Sequence, residues 1–291
     1  MPDFDWAEPD TVAETLDLLA TRGEDAKLLA GGTWLTLVLR QNLLFPTILV
    51  SLRRVPGLDR IAVDPDGTLC LGAMARHRAV ERAPAVLAGW SALAETYADV
   101  ANVRVRHQAT VGGNLADADY ASDPPTVLAA LDASVHALSP RGERLIPVRD
   151  LIVGHYETVL APDELITEVI VPPIPPSAAA VYLKYRTRSH EDRPCLGVAA
   201  LVDLATDDTC RRLEVVVGAV AERPQRLPDV LAAATGHPLD DTAIEEIAAS
   251  YAAGIDPLSD LRGSTWYRQR MIRVFVARAL RAALARRPPA S

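Results

Sequence analysis

The amino-acid sequence predicts an α+β protein built from a larger N-terminal region and a smaller C-terminal one. Three observations support this fold class. The chain opens on a short β-α unit, short strands and turns dominate from roughly residue 58, and a proline-rich linker precedes three strands and two helices. The regular βαβ alternation of a doubly wound sheet is missing. We therefore expect two domains, 1–176 and 177–291, the first with lobes over about 1–57 and about 58–176.

The N-terminal elements follow from capping residues, apolar spacing and glycine stops. Thr11 and Glu14 have the spacing of a capping box, in which each side chain satisfies a free backbone N–H at a helix start. Apolar residues then recur at the helical period until Gly23. A short apolar run next reaches the pair Gly31-Gly32, which predicts a strand and a tight turn. The predicted elements are a helix over 12–22, a strand over 27–30, a helix over 33–40 and a strand over 47–52.

The middle of the chain is predicted from helical spacing and from its polar and proline-rich stretches. Leu87, Trp90 and Tyr97 share one side of a helical pattern, and Pro125 fits the first turn of a helix. A stretch rich in Gly, Asn, Asp and Ser is typical of a loop. The predicted elements are a helix over 86–101, a long loop over 110–123, a helix from 125 to about 131 and a strand over 165–171.

The C-terminal region follows the linker 172–179, where four prolines in five residues prevent regular structure. Three runs rich in apolar residues come next, and their spacing favours an antiparallel sheet. Apolar residues at the helical period then predict a long final helix. The predicted elements are strands over 181–187, 196–204 and 212–220 and helices near 242–253 and 265–286.

Two glycine pairs, Gly31-Gly32 and Gly112-Gly113, are the clearest ligand-binding candidates. Glycine reaches positive φ at low cost and lets a ligand approach the main chain. Successive N–H groups in such a turn can converge on an anion such as a pyrophosphate. Neither a G-x-G-x-x-G turn nor a P-loop is present, so a dinucleotide would be clamped between two separate glycine turns. Taken singly, a glycine pair is more often a structural turn.

The second glycine pair has polar neighbours that suit a nucleotide. Thr110 adds a hydroxyl, Asn114 can donate and accept, and Asp123 can hold a ribose hydroxyl or a ring N–H. Asp117 and Asp119 add further carboxylates, which also fit a calcium loop. That alternative lacks the glycine and the terminal glutamate of an EF-hand at the required offsets.

Composition and cysteine usage exclude several functional classes. The net charge of −8 and the pI of about 5.3 argue against a nucleic-acid partner, which requires a basic surface. The N-terminal stretch lacks the pattern of a secretory signal, and no apolar run has membrane-spanning length. We therefore expect a cytoplasmic protein without membrane insertion. The three cysteines form no C-x-x-C pair and the six histidines no H-E-x-x-H, so we expect no metal site.

Several motifs together resemble the FAD-binding subunits of the xanthine dehydrogenase and aerobic carbon monoxide dehydrogenase family of molybdenum hydroxylases. The combination of two glycine motifs at this separation with Asp123 and Lys184 is specific, and the resemblance covers essentially the whole chain. The segments that carry it are Lys27–Thr33, Val105–Asn114, Ala121–Pro125, Pro162–Glu168, Tyr182–Lys184 and the helix from Tyr267 to Leu280.

The resemblance implies a two-lobed, vanillyl-alcohol-oxidase-like (PCMH-type) FAD domain over 1–176 and a small α+β domain over 177–291. It leaves the catalytic residues unassigned. Both glycine loops would wrap the FAD pyrophosphate, so we expect valine at Gly32 or Gly113 to abolish FAD binding. The residues at matching cofactor-contacting positions are Lys27, Leu28, Leu29, Ala30, Gly31, Gly32, Thr33 and Trp34 in the first loop, Val100 and Ala101 near the flavin, Thr110, Val111, Gly112, Gly113 and Asn114 in the second loop, and Asp123, Ile166 and Lys184.

The same resemblance implies an electron-relay subunit. A small partner would carry two [2Fe–2S] clusters and a large partner molybdopterin, in a dimer of heterotrimers. Electrons would pass from the clusters to the flavin and on to oxygen, NAD or another acceptor. The FAD would be non-covalent, because neither glycine loop contains a histidine. The alternative is a self-sufficient flavin oxidase of a small molecule, although only residues 177–291 remain for a substrate domain.

Four positions decide how far the family pattern can be transferred. Trp34 stands where a small or polar residue is common, His107 replaces a usual Asn, and Asp119-Tyr120 replace a usual Ser-Pro. The resemblance further implies that the Lys184 ammonium lies near the flavin and stabilises negative charge formed on reduction. A solvated charge at a strand end is the alternative for Lys184.

Overall fold

The computed structural model describes residues 3–287, so the outermost ends of the two predicted domains, 1–2 and 288–291, lie outside the described residues. The chain begins with a parallel three-stranded sheet of order β1-β3-β2. The predicted helix over 12–22 is confirmed, and the Thr11 hydroxyl accepts from Glu14 N at 3.1 Å. The elements are β1 (Asp5–Ala7), α1 (Val12–Arg22), β2 (Ala26–Leu29), α2 (Leu35–Arg40) and β3 (Ile48–Ser51).

The middle region is a five-stranded antiparallel sheet of order β4-β5-β10-β6-β7 with helices packed against it. A short hairpin, β8–β9, comes between β7 and β10 in the order of the chain. The elements are β4 (Ile61–Val63), β5 (Leu69–Gly72), α3 (His77–Val80), α4 (Pro84–Gly89), α5 (Ser91–Ala98), α6 (Val103–Arg106), α7 (Val111–Asp117), α8 (Pro124–Ala130), β6 (Ser134–Ser139), β7 (Gly142–Pro147), α9 (Val148–Leu151), β8 (Ile152–Gly154), β9 (Glu157–Thr158) and β10 (Leu165–Val171).

Two sequence expectations for this region were wrong. The helix expected over 86–101 is two helices that meet at Trp90, whose backbone leaves the helical region at φ −139° and ψ 53°. The Trp90 indole N–H donates to the carbonyl of Pro172 at 2.9 Å, a distant contact that sequence spacing does not encode. The loop expected over 110–123 contains α7, because Thr110 caps a helix despite the glycines that follow.

The C-terminal region is a three-stranded antiparallel sheet of order β11-β12-β13, as predicted. The strand β11 begins at Ala178, inside the expected linker, and α10 was not predicted. The final helix has the predicted bounds. The elements are β11 (Ala178–Tyr185), β12 (Leu196–Leu204), β13 (Cys210–Gly218), α10 (Pro228–Ala234), α11 (Asp241–Gly254) and α12 (Thr265–Arg286).

The C-terminal sheet is covered on both faces, which explains why every residue of β12 is buried. Alternate residues of a strand point to opposite faces. Ala199 and Leu201 belong to the core shared with the middle region, whereas Val198 and Ala200 belong to the core formed with α11 and α12. A third core lies beneath the N-terminal parallel sheet. The sheet therefore joins the C-terminal helices to the middle region.

Two properties of residues 3–287 concern membrane spanning and metal binding. None of the helices there combines the length and apolar character needed to cross a bilayer. Within the same residues, His, Cys, Asp and Glu side chains form no cluster of three or more that could hold a metal ion. The cysteines at 70, 195 and 210 are buried free thiols.

Candidate cofactor site

The first glycine loop joins β2 to α2 and offers unpaired backbone donors. Gly32 has a φ of 69°, the left-handed region in which glycine carries no Cβ penalty. Its carbonyl accepts from the Thr36 hydroxyl at 2.6 Å. Among the described residues, no acceptor pairs with the backbone N–H groups of residues 31–34. Four successive free donors suit the oxygens of a pyrophosphate.

The second glycine pair begins α7, and its backbone donors are already paired. The amides of Val111 and Gly112 donate to the carbonyls of Ala75 and Ala73 at 3.0 and 2.8 Å. Gly113 N donates to the Thr110 hydroxyl at 3.2 Å. The expectation of a free anion-binding turn here was wrong, because this turn became the capped first turn of a helix. Neither glycine has positive φ.

The glycines of the second pair instead allow close packing. A Cβ at Gly112 would lie 2.6 Å from the Cβ of Ala73, closer than real side chains approach. A Cβ at Gly113 would lie 2.6 Å from the Thr110 hydroxyl oxygen and 3.4 Å from the Cβ of Ala30. Gly113 therefore brings α7 against the first glycine loop.

The two loops also meet through Gly31, which packs directly on backbone. A Cβ at Gly31 would overlap the carbonyl oxygen of Gln108 and lie 2.7 Å from its carbon. Ala109 Cα would be 3.1 Å away. The structure therefore brings together the two segments that sequence analysis singled out, with the free amides on the first loop only.

A chain of polar contacts links α7 to the C-terminal sheet. Asn114 Nδ2 donates to the hydroxyl of Ser122 at 2.8 Å. The adjacent Asp123 is buried, and its two carboxylate oxygens accept from Tyr182 at 2.6 Å and from Lys184 at 2.7 Å. Lys184 Nζ also donates to the carbonyl of Asp99 at 3.0 Å. The side chain of Lys184 is 1% exposed, so the alternative of a solvated charge was wrong.

The segment at Val100 and Ala101 is held by Arg106, a residue to which the sequence alone assigned no role. Arg106 Nη1 donates to the carbonyls of both residues at 3.0 Å, and its Nε lies 2.7 Å from a carboxylate oxygen of Glu81. Ala101 has a φ of 43°, a conformation uncommon for alanine. Ala101 lies two residues after Asp99, whose carbonyl accepts from Lys184, so the ion pair of Lys184 with Asp123 lies near this segment. A positive φ at alanine leaves no signal in sequence.

The remaining predicted site residues differ in what they could offer a ligand. Lys27 is exposed, Leu28 and Leu29 are half-buried, and Val111 and Ile166 are buried in the core. Thr33 and Trp34 are half-buried. Ile166 lies in β10, a strand that packs against α7, the helix that begins with the second glycine pair.

Burial governs the ionisation of the carboxyls near the site. Burial, followed by the charge of Asp119, raises the pKa of Asp117 from 3.8 to about 8, and Oδ1 of Asp117 is buried without a hydrogen-bond partner in the described chain. Burial also raises the pKa of Asp123, while the charge of Lys184 opposes that rise. Burial, with the Asp123 charge, raises the pKa of Tyr182 well above its usual value, so its hydroxyl remains a donor.

The shifted pKa of Asp117 makes stability depend on pH. Folded Asp117 keeps its proton up to about pH 8, whereas the unfolded carboxyl releases it near pH 3.8. Unfolding therefore releases a proton between these values, and stability falls as the pH rises through that window. We expect the melting temperature of Asp117→Asn, measured by thermal unfolding at fixed FAD concentration, to rise relative to that of wild type from pH 5 to pH 8. Above pH 8 the difference should stay constant. The control is Asp150→Asn, at an exposed carboxylate. An equal offset at every pH would contradict the prediction.

Family models cover almost the whole chain. Residues 2–174 match the FAD binding domain in molybdopterin dehydrogenase. Residues 181–283 match the CO dehydrogenase flavoprotein C-terminal domain. The first match alone spans more than half of the chain, which assigns the chain to this family.

Two curated relatives match over almost their full length. The chain is 38% identical over 291 residues to the 6-hydroxypseudooxynicotine dehydrogenase complex subunit alpha of Paenarthrobacter nicotinovorans, covering 99% of this chain and 97% of that protein. It is 30% identical to the carbon monoxide dehydrogenase medium chain of Afipia carboxidovorans, covering 97% of each.

Solved structures agree with this assignment. Carbon monoxide dehydrogenase from Hydrogenophaga pseudoflava, in a form that lacks the Mo-pyranopterin moiety of its molybdenum cofactor, superimposes with a TM-score of 0.94 at 31% identity, over 99% of both chains. Quinoline 2-oxidoreductase from Pseudomonas putida 86 gives a TM-score of 0.90 at 29% identity, over 98% of both chains. The chain thus has the PCMH-type fold expected from its sequence and belongs to the FAD-binding, medium-subunit family of molybdenum hydroxylases.

Proposed function

We propose that this chain binds one FAD non-covalently and relays electrons from the [2Fe–2S] clusters of a small partner subunit to an external acceptor. In this proposal a large molybdopterin subunit oxidises the organic substrate, and the assembly is a cytoplasmic dimer of heterotrimers. The relatives are named for different substrates, so we assign none to this chain.

The observation that carries the proposal is the run of four unpaired backbone N–H groups at 31–34, in a chain of an FAD-binding family. The run lies against the second glycine segment, because Gly31 packs on the backbone of Gln108. Free donors at a glycine turn fit the negatively charged pyrophosphate of FAD. The residues present therefore fit the cofactor.

The proposed roles of the individual residues follow from their contacts. The amides of 31–34 would hold the pyrophosphate, with the segment 110–114 forming the wall behind them. Asn114 is oriented by Ser122, whose hydroxyl accepts from Nδ2 at 2.8 Å and donates to Oδ1 at 3.1 Å, and the second Nδ2 hydrogen would serve a ligand. Lys184 has two of its three donors used within the described chain, which leaves one. When bound, FAD supplies a centre that accepts electrons from a cluster and gives them to a soluble acceptor.

We also propose the domain division 1–176 and 177–291. The two family matches support it, since one ends at 174 and the other begins at 181. The separate core of the C-terminal helices supports it too. Tyr182 and Lys184, which hold Asp123, then belong to the second domain, so both domains contribute to the site.

The proposed function is tested on the full chain, purified alone and together with its two partner subunits. We expect a yellow protein that releases intact FAD on acid treatment. Under anaerobic conditions, an artificial donor should bleach the flavin absorbance at about 450 nm in either preparation. Organic substrates should bleach it only in the complex.

Two outcomes would overturn parts of the proposal. Flavin that stays attached to the denatured protein would exclude non-covalent binding. Rapid bleaching of the isolated chain by an organic substrate would exclude the relay and favour a self-sufficient oxidase. A chain that holds no FAD in either preparation would overturn the whole proposal.

A further inference from the structure

Trp34, the last residue of the first glycine loop, stacks on Tyr156. The ring centroids are 5.3 Å apart and the ring planes differ by 28°. Offset stacking at this distance is a favourable arrangement for aromatic rings. Tyr156 comes from the tip of the hairpin β8–β9, a different part of the chain, so the stack ties the loop to that hairpin.

The hairpin tip is fixed in an unusual conformation. Tyr156 has a φ of 57°, which is a genuine outlier for a bulky residue. Its backbone N–H donates at 3.2 Å to the carbonyl of Ala118, the residue that ends α7 with a φ of 50°. Such strain persists only where the surroundings impose it, and it concentrates at ligand clamps. The tip thus projects from the end of the same helix that begins with the second glycine pair.

Apart from this stack, few contacts restrain the end of the first glycine loop that leads into α2. Gly31 packs against Gln108, and the Gly32 carbonyl accepts from Thr36 within the loop's own helix. The helix α2 has no side-chain cap, since Trp34 occupies the capping position. Trp34 is therefore the side chain that fixes the end of the loop, and Tyr156 is its partner.

We propose that Trp34 and Tyr156 form an aromatic clasp that holds the free amides of 31–34 in their binding conformation and thereby slows the release of FAD. Both are positioning residues, and the inference rests on the FAD binding proposed above. The outer parts of the Tyr156 ring remain open, since the residue is 45% exposed. Its removal therefore leaves no cavity in the core.

The test measures FAD release from the loaded full chain after rapid dilution, with free FAD followed by its fluorescence. Tyr156→Asn removes the ring and tolerates the left-handed φ, so the hairpin keeps its shape. Aromatic pairs contribute about 0.5–1.5 kcal/mol, so we expect release about 2- to 12-fold faster. Tyr156→Phe keeps the ring and should release FAD at the wild-type rate.

Further variants separate a clasp from a general structural effect. Trp34→Ala should accelerate release as Tyr156→Asn does, and the double variant should be no faster than either. Trp266→Ala, at an exposed tryptophan of α12, should leave the release rate unchanged. The FAD-free melting temperatures of all variants should stay close to wild type.

Each outcome decides the proposal. Wild-type release in Tyr156→Asn would overturn the clasp and leave the proposed function standing. Equally fast release in Tyr156→Phe and Tyr156→Asn would also overturn it, because the hydroxyl rather than the ring would then act. Additive effects in the double variant would show two independent contacts and no clasp. A wild-type chain that holds no FAD would overturn the clasp and the proposed function together.

Discussion

A Gly31→Ala variant should bind FAD about 100-fold more weakly than the wild-type chain. The added Cβ would overlap the carbonyl oxygen of Gln108 and crowd Ala109 Cα at 3.1 Å. Both obstacles are backbone, so rotation of a side chain gives no relief. The first glycine loop must therefore move away from the second segment, and its free amides move with it. Titration of the FAD-free chain with FAD measures the effect.

The matched control for this variant is Gly89→Ala. Gly89 ends α4 without a positive φ, and an added Cβ would meet no heavy atom within 4 Å. It should bind FAD as wild type does, and the far-UV circular dichroism of both variants should match wild type. If Gly31→Ala binds FAD within about 3-fold of the control, the contact between the loops does not position the site.

The sequence alone pointed to Gly32 and Gly113, and the structure keeps the physical reason at Gly32 and changes it at Gly113. Gly32 does need its left-handed φ of 69°. Gly113 has a helical backbone, and its added Cβ would first meet the Thr110 hydroxyl, which can rotate. The most demanding position is Gly31, where the obstacle belongs to a segment almost eighty residues later. A close approach between distant backbones has no local sequence pattern.

The elements predicted well are those with local signals. The helix α1 has its cap at Thr11 and α12 its long apolar period, and both begin and end as expected. The break at Trp90 depends on a hydrogen bond to Pro172, and α7 depends on capping by Thr110. The hydrogen bond to Pro172 is a tertiary contact, which no local pattern shows. The Thr110 cap is a local signal, but the polar, glycine-rich composition of the stretch favoured a loop.

The same distinction applies to the candidate site. Residue types identified both glycine segments and Asp123, and the family resemblance added Lys184. The structure brings these residues into one connected region. In the sequence, Tyr182 stood out only as part of the segment Tyr182–Lys184 that carries the family resemblance, yet its hydroxyl holds Asp123. An aromatic residue on a strand gives no indication of its hydrogen-bond partner, because that partner lies about sixty residues earlier.

Replacing Lys184 with Met should lower the free energy of unfolding by about 3–5 kcal/mol. Lys184 and Asp123 form an ion pair at 2.7 Å, with side chains only 1% and 5% exposed. Removing the ammonium leaves the Asp123 carboxylate buried with the Tyr182 hydroxyl alone. Urea denaturation of the full chain measures the loss. Arg286→Met is the control, because it breaks an exposed pair with Glu95 and should cost at most about 1 kcal/mol.

The double variant Lys184→Met/Asp123→Asn separates the structural role of Lys184 from the electronic role that the family resemblance implies. Asn at 123 carries no charge and still accepts from Tyr182, so at least about half of the lost stability should return. If the Lys184 charge also acts on the flavin, the reduction potential of bound FAD should fall in the single variant and stay low in the double variant. A potential equal to wild type in both variants would restrict Lys184 to holding Asp123 and the Asp99 carbonyl in place. Stability that fails to return would contradict the ion-pair explanation itself.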